Sequence, residues 1–191
     1  MAVSRTITAL VLAVLAPVAA AHPPTSGILA VGFLHPLTGV DHLLALTAIG
    51  LWWGWQKGGG YRLLPLAALG GMLAGLVLAG RGLGLPQVEN GILATLFILA
   101  LLLLRPWRLP ASRGLPLAAG FALLHGHAHG LELPPAVAWL DFSLGFLFSG
   151  GLVMLFGARL AVMSRERGCE VLLRRCSAAV LLLAGLGLGA A

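Results

Sequence analysis

Apolar residues run along this chain in blocks that leave no polar face, and the polar residues collect between the blocks. Six such blocks lie at about residues 28–55, 61–79, 91–104, 114–131, 136–160 and 176–191. A helix needs about 20 apolar residues to cross the hydrocarbon of a bilayer. Several blocks fall short of that, so the third is expected to begin earlier, near Gln87, and the sixth to take in part of residues 171–175. The pattern predicts an all-α polytopic membrane helix bundle with six transmembrane helices. The first block is long for one straight span and contains Pro36. Proline cannot donate to the carbonyl four residues back, here Gly32, and it disfavours the α region for the residue before it, His35. The first helix is therefore expected to break near Pro36, with a short outer piece and a longer helix from Pro36 to Trp55.

Residues 1–21 form a separate unit. Arg5 precedes the apolar stretch from Ile7 to Leu15, and Ala19-Ala20-Ala21 suits the small-residue rule for cleavage. A cleaved signal peptide is the expectation, leaving residues 22–191 as the transmembrane domain with His22 at its new N-terminus.

Composition strengthens the membrane reading. The 191 residues are 59% hydrophobic and 9% charged, where soluble domains carry about 25% charged residues. Mean hydropathy is +0.99. The solvent for most of this chain is the lipid bilayer. Net charge is +6, but the basic residues make no continuous stripe, which argues against nucleic acid as a partner. They fall instead at alternate junctions: Lys57 and Arg62, then Arg105, Arg108 and Arg113, then Arg159, Arg165, Arg167, Arg174 and Arg175. Only Arg5 and Arg81 of the twelve lie elsewhere. Such bias marks the cytoplasmic side. It predicts a multi-pass protein of the cell inner membrane with mature N- and C-termini on the periplasmic side. Trp52, Trp53 and Trp55 then read as an aromatic belt at the inner face. Cys169 and Cys176 form no CxxC pair, and on the cytoplasmic side no structural disulfide is expected. No phosphate-binding loop is present. Gly71 and Gly75, and Gly185 and Gly189, have GxxxG spacing, which suits close helix packing within one chain or a homo-oligomer seam.

Against this background two stretches stand out. His35-Pro36-Leu37-Thr38-Gly39-Val40-Asp41-His42 and His125-Gly126-His127-Ala128-His129-Gly130-Leu131-Glu132 hold every histidine except His22. Ionisable groups within a membrane are costly and mark function. His35 and His42 would project within roughly 20° of each other on one continuous helix. Asp41 is placed either to ligate or to orient a histidine ring. His125 and His129, at i and i+4, share a helix face that Glu132 extends. Gly126 and Gly130 would let another helix come close. His127 points away and suits a hydrogen bond between helices. Under the predicted topology both stretches lie in the outer half of the bundle, with Glu89 and Asp141 read as interfacial carboxylates. His22, His35, Asp41, His42, His125, His129 and Glu132 are the candidate metal ligands. Imidazole and carboxylate donors suit Ni²⁺, Co²⁺, Zn²⁺ or Cu²⁺, and the chemistry alone does not choose among them.

The patterns His35-Pro36-x-x-Gly39-x-Asp41-His42-x-Leu44-Ala45 and Phe121-x-x-x-His125-Gly126-x-Ala128-His129-Gly130-x-Glu132, with a His22-Pro23 start to the mature chain, resemble the HupE/UreJ family of nickel permeases. The first pattern is also similar to the HxxxxDH signature of the broader nickel/cobalt transporters. Leu46 stands where family members often have Met. The resemblance implies a transporter and not an enzyme. It implies import of nickel, or of cobalt, for hydrogenase or urease maturation, with the ion as cargo and no resident cofactor. Two other functions share the donor set: an intramembrane zinc-dependent hydrolase and bis-histidine haem ligation.

Overall fold

The computed structural model describes residues 27–105, 109–132 and 139–190. The signal segment and His22 lie outside the described residues. Seven α-helices follow in order: α1 Ile28–Thr38, α2 Val40–Trp55, α3 Leu64–Gly80, α4 Val88–Leu104, α5 Ala111–Glu132, α6 Trp139–Glu166 and α7 Glu170–Gly189. A short 3₁₀ turn, Gly59–Leu63, precedes α3. No strand occurs among the described residues. The protein is an all-α membrane protein whose outward faces are leucine-rich, as at Leu66, Leu101, Leu144 and Leu183.

Within the described residues the six apolar blocks are helical, apart from the break at Gly39. Among those residues, three helices are long and apolar enough to cross a membrane: the 3₁₀ turn with α3, α6, and α7. The bent α1–α2 pair adds a fourth. The expected six spans exceed that number for physical reasons. The 17 residues of α4 reach only about 26 Å at 1.5 Å per residue. In α5 the apolar run is interrupted by Pro116 and three histidines.

The first block does break, but three residues beyond the expected point. Pro36 sits inside α1, and the chain turns by 80° at Gly39. Gly39 is extended (φ −83°, ψ 118°). The hydroxyl of Thr38 donates to the His35 carbonyl at 2.8 Å, supplying a partner where the helical ladder ends. The Gly39 carbonyl then accepts the first bond of α2, from Leu43 N–H at 2.9 Å.

Three packing groups build the bundle: α3 with α5, α1 and α2 with α6, and α4 with α7. Glycine sets the first two. A Cβ at Gly71 or Gly126 would strike the backbone carbonyl of the facing helix, Ala119 or Met72 respectively. The same holds across the other seam for Gly32 against Phe142, Gly50 against Met154 and Gly145 against Leu29. Dispersion and backbone contact drive helix association where lipid competes equally for apolar side chains. Gly75 packs on α5 with Gly71, and Gly185 and Gly189 face Phe97 and Leu93 of α4. Both GxxxG pairs are thus engaged within the chain.

The basic residues gather at one end. Arg174 pairs with Glu170 at 2.8 Å, donates to the Leu103 carbonyl at 3.1 Å and lies over the Trp55 ring at 4.0 Å. Arg165 donates to the Gly54 carbonyl at 3.3 Å. Cations thereby satisfy carbonyls at the C-terminal ends of α4 and α2, where the helix dipole is negative. The expected tryptophan belt is corrected by this packing. Trp52 and Trp55 are buried, because Trp55 donates to Ser164 at 3.3 Å and Trp52 meets Tyr61 edge-on. Cys169 and Cys176 are free thiols.

Gly70 and Gly71 separate backbone propensity from packing, since a Cβ at Gly70 meets nothing within 4 Å. Gly71→Ala is expected to lower stability by about 1–3 kcal/mol through overpacking, whereas Gly70→Ala stays neutral or gains slightly. Thermal unfolding of the detergent-solubilised protein measures both; equal melting points for the two variants would contradict the close-contact seam.

Candidate metal centre

The glycine seams place the two polar stretches against each other at the end opposite the arginines. Gly126 and Gly130 face α3, which turns His125 and His129 toward α1 and α2. The bend at Gly39 matters equally. It carries His35 and His42 on two differently directed helices, so both approach His129 from separate sides. His35 Nε2 and His129 Nδ1 are 2.6 Å apart. The His42 ring lies 3.8 Å from that of His129 and 4.5 Å from that of His125, centre to centre. Four imidazoles from three helices thus form one contiguous group.

Asp41 joins them. Its Oδ1 is 3.0 Å from His42 Nδ1, a charge contact without hydrogen-bond alignment that sets the carboxylate beside the ring. It also qualifies as a ligand: one donor atom from each of Asp41, His42 and His125 lies within 4.8 Å of the others. The remaining nitrogens are informative. His42 Nε2 and His125 Nδ1 are buried with no hydrogen-bond partner among the described residues. Buried polar atoms normally have partners. A shared cation would satisfy both lone pairs at once, and the imidazole and carboxylate donors fit a divalent transition metal.

Around the group the walls are of two kinds. Phe142 and Phe146 of α6 stack at 5.8 Å, and their edges meet His35 at 5.4 Å and His129 at 5.0 Å. On the other side is a cavity of about 260 Å³ lined by His35, Asp41, His42, His129 and Glu89, among others. Glu89 is exposed in the first turn of α4, so the cavity carries a carboxylate where it reaches the surface. Gly39 keeps the space clear: a Cβ there would come within 3.2 Å of both Asp41 Oδ1 and His42 Nδ1. Beneath His42, α2 presents Leu46, Ile49 and Trp52, all buried, and Met72 of α3 packs into the same core.

Of the sequence candidates, His35, Asp41, His42, His125 and His129 come together. Glu132 is the last residue of α5, with its side chain outside the described ones, as His22 is. Asp141 is exposed at the start of α6. His127 does bond between elements: its Nε2 lies 2.8 Å from the Leu83 carbonyl and 3.2 Å from Leu85 N–H, which pins the α3–α4 connection. Two residues gained a place that the sequence reading had not given them. Glu89 lines the cavity. Thr95, buried in α4, reaches His125 Nε2 at 3.0 Å; its one signal was a hydroxyl within a run of apolar residues.

A family model described as HupE / UreJ protein matches residues 10–188. Protein HupE of Rhizobium leguminosarum bv. viciae is 34% identical over 151 residues, which is 79% of this chain and 79% of that protein. No solved structure matches.

The geometry assigns His42 and His127 different work. His42→Ala should abolish Co²⁺ binding, read from the visible absorption of the bound ion, while His127→Ala should leave it intact and speed amide exchange at Leu85. Loss of Co²⁺ absorption in His127→Ala, with unchanged exchange, would reverse the assignment.

Proposed function

The chain belongs to the HupE / UreJ family, and from that premise we propose that it is a permease importing a divalent transition metal across the inner membrane. Nickel is the preferred cargo and cobalt the second. The observation that carries this reading is the contiguous group of His35, His42, His125 and His129 beside Asp41 at a surface-reaching cavity. Both mature termini lie on the periplasmic side, with the arginine-rich end in the cytoplasm.

The route follows from the chemistry. His22 and outer carboxylates, Glu89 and Glu132 among them, raise the local concentration of the cation. The ion loses its hydration shell to Asp41 and the imidazoles, which substitute for water at little reorganisation cost. Conduction needs ligands that bind well enough to admit the ion and release it again. Release inward requires the apolar layer of Leu46, Ile49 and Met72 beneath His42 to part, so the described arrangement corresponds to an outward-loading state. No nucleotide-binding motif supplies energy. A divalent ion moving inward gains about 4.6 kcal/mol per 100 mV, at ~2.3 per charge, which supports accumulation on the order of a thousandfold.

The same apolar layer favours a second reading, a zinc-dependent intramembrane hydrolase whose metal stays in place and activates water. Uptake separates the two. Cells expressing the wild type should accumulate radiolabelled nickel, and His42→Ala at equal expression should fall to the level of cells lacking the protein. Equal accumulation in both would overturn the role of His42. No uptake by either, with tightly retained zinc in the purified protein, would favour the hydrolase.

A further inference from the structure

Thr95 lies in the middle of α4 and is 1% exposed. Its Oγ1 is 2.6 Å from the Ile92 carbonyl and 3.0 Å from His125 Nε2. A hydroxyl has one proton and a carbonyl accepts only. The proton is therefore committed to Ile92, in the back-bond that threonine makes to its own helix. Oγ1 then faces His125 as an acceptor, and His125 must carry its proton on Nε2. Nδ1 is left as a bare lone pair. That atom is the one buried without a hydrogen-bond partner among the described residues, and His125 is the residue grouped with Asp41 and His42 by donor distance. The opposite tautomer would bury an N–H at Nδ1 and set two acceptors, Oγ1 and Nε2, against each other.

His42 is held differently. The Asp41 carboxylate lies beside it, Oδ1 3.0 Å from Nδ1, and its charge favours a proton on that side of the ring, although neither nitrogen has a hydrogen-bond partner among the described residues. Of the two rings, His125 is the one whose tautomer is set by a hydrogen bond, from a neighbour whose own proton is spent on Ile92.

We propose that Thr95 is a positioning residue: its hydroxyl locks His125 in the Nε2–H tautomer so that Nδ1 is presented to the cation taken up by the histidine group. This rests on the reading of that group as a cation site. Threonine suits the task because its branched Cβ restricts χ1 and keeps the oxygen aimed at α5.

The test uses the full chain in detergent, with ¹⁵N-labelled histidine for NMR and Ni²⁺ titration by calorimetry. In the wild type without added metal, His125, assigned by loss of its signals in His125→Ala, should show the Nε2–H tautomer. Thr95→Val preserves shape and removes the acceptor. It should yield a tautomer mixture and weaken Ni²⁺ binding about ten- to hundredfold, as loss of a partner behind a ligand does. Thr95→Ser should restore both. An Nδ1–H tautomer in the wild type overturns the proposal, as does wild-type affinity in Thr95→Val. Equal weakening by Thr95→Ser and Thr95→Val assigns the loss to packing and likewise overturns it. If the wild type itself binds no Ni²⁺, the cation reading falls, and the tautomer measured without metal still decides what Thr95 does.

Discussion

Backbone-to-backbone contact through glycine is the constraint on which this bundle depends. In lipid, apolar side chains gain nothing by leaving the solvent, so helices must meet more closely than leucine allows. Gly71 and Gly126 bring α3 to α5, while Gly32, Gly50 and Gly145 bring α1 and α2 to α6. Those seams fix the rotation of each helix about its axis. Once Gly126 faces α3, His125 and His129 have no choice but to face α1 and α2. The polar group is a consequence of the apolar packing.

The two ends of the bundle solve opposite electrostatic problems. At one end, Arg165 and Arg174 sit where helix carbonyls have run out of donors, and charge meets dipole. At the other end, four imidazoles crowd together beside Asp41, behind a wall of Phe142 and Phe146. Low polarity on the phenylalanine side strengthens every charge interaction there. The cavity on the opposite side admits water and carries Glu89. Potential donors thus run from one carboxylate at the surface to a denser set deeper in the cavity.

Between the ends lies a dry layer. Leu46, Ile49, Trp52 and Met72 are all buried and pack into one apolar core. Across it α2 meets α6 backbone to backbone at Gly50 and Gly157.

The sequence by itself determined the membrane setting, the helical class and nearly all of the residues that matter. Block length and the placement of arginines follow from the thickness of lipid and the sign of the helix ends, and both are written in the order of residues. The spacing of His125 and His129 put them on one face before any contact was known. Tertiary structure alone decided the rest. The break fell at Gly39 and not at Pro36: Pro36 lies near the C-terminal end of α1 and costs it one backbone bond, while the chain turns at Gly39, where a Cβ would press on Asp41 Oδ1 and His42 Nδ1 at 3.2 Å. Trp52 and Trp55 went inward because Ser164, Tyr61 and Arg174 met them there. Glu89 and Thr95 became part of the site because α4 lies beside α5, a neighbour relation that no local spacing encodes. Side-chain type and period are properties of the chain; which nitrogen of His125 carries its proton depends on an atom thirty residues away, and only the fold brings it within 3.0 Å.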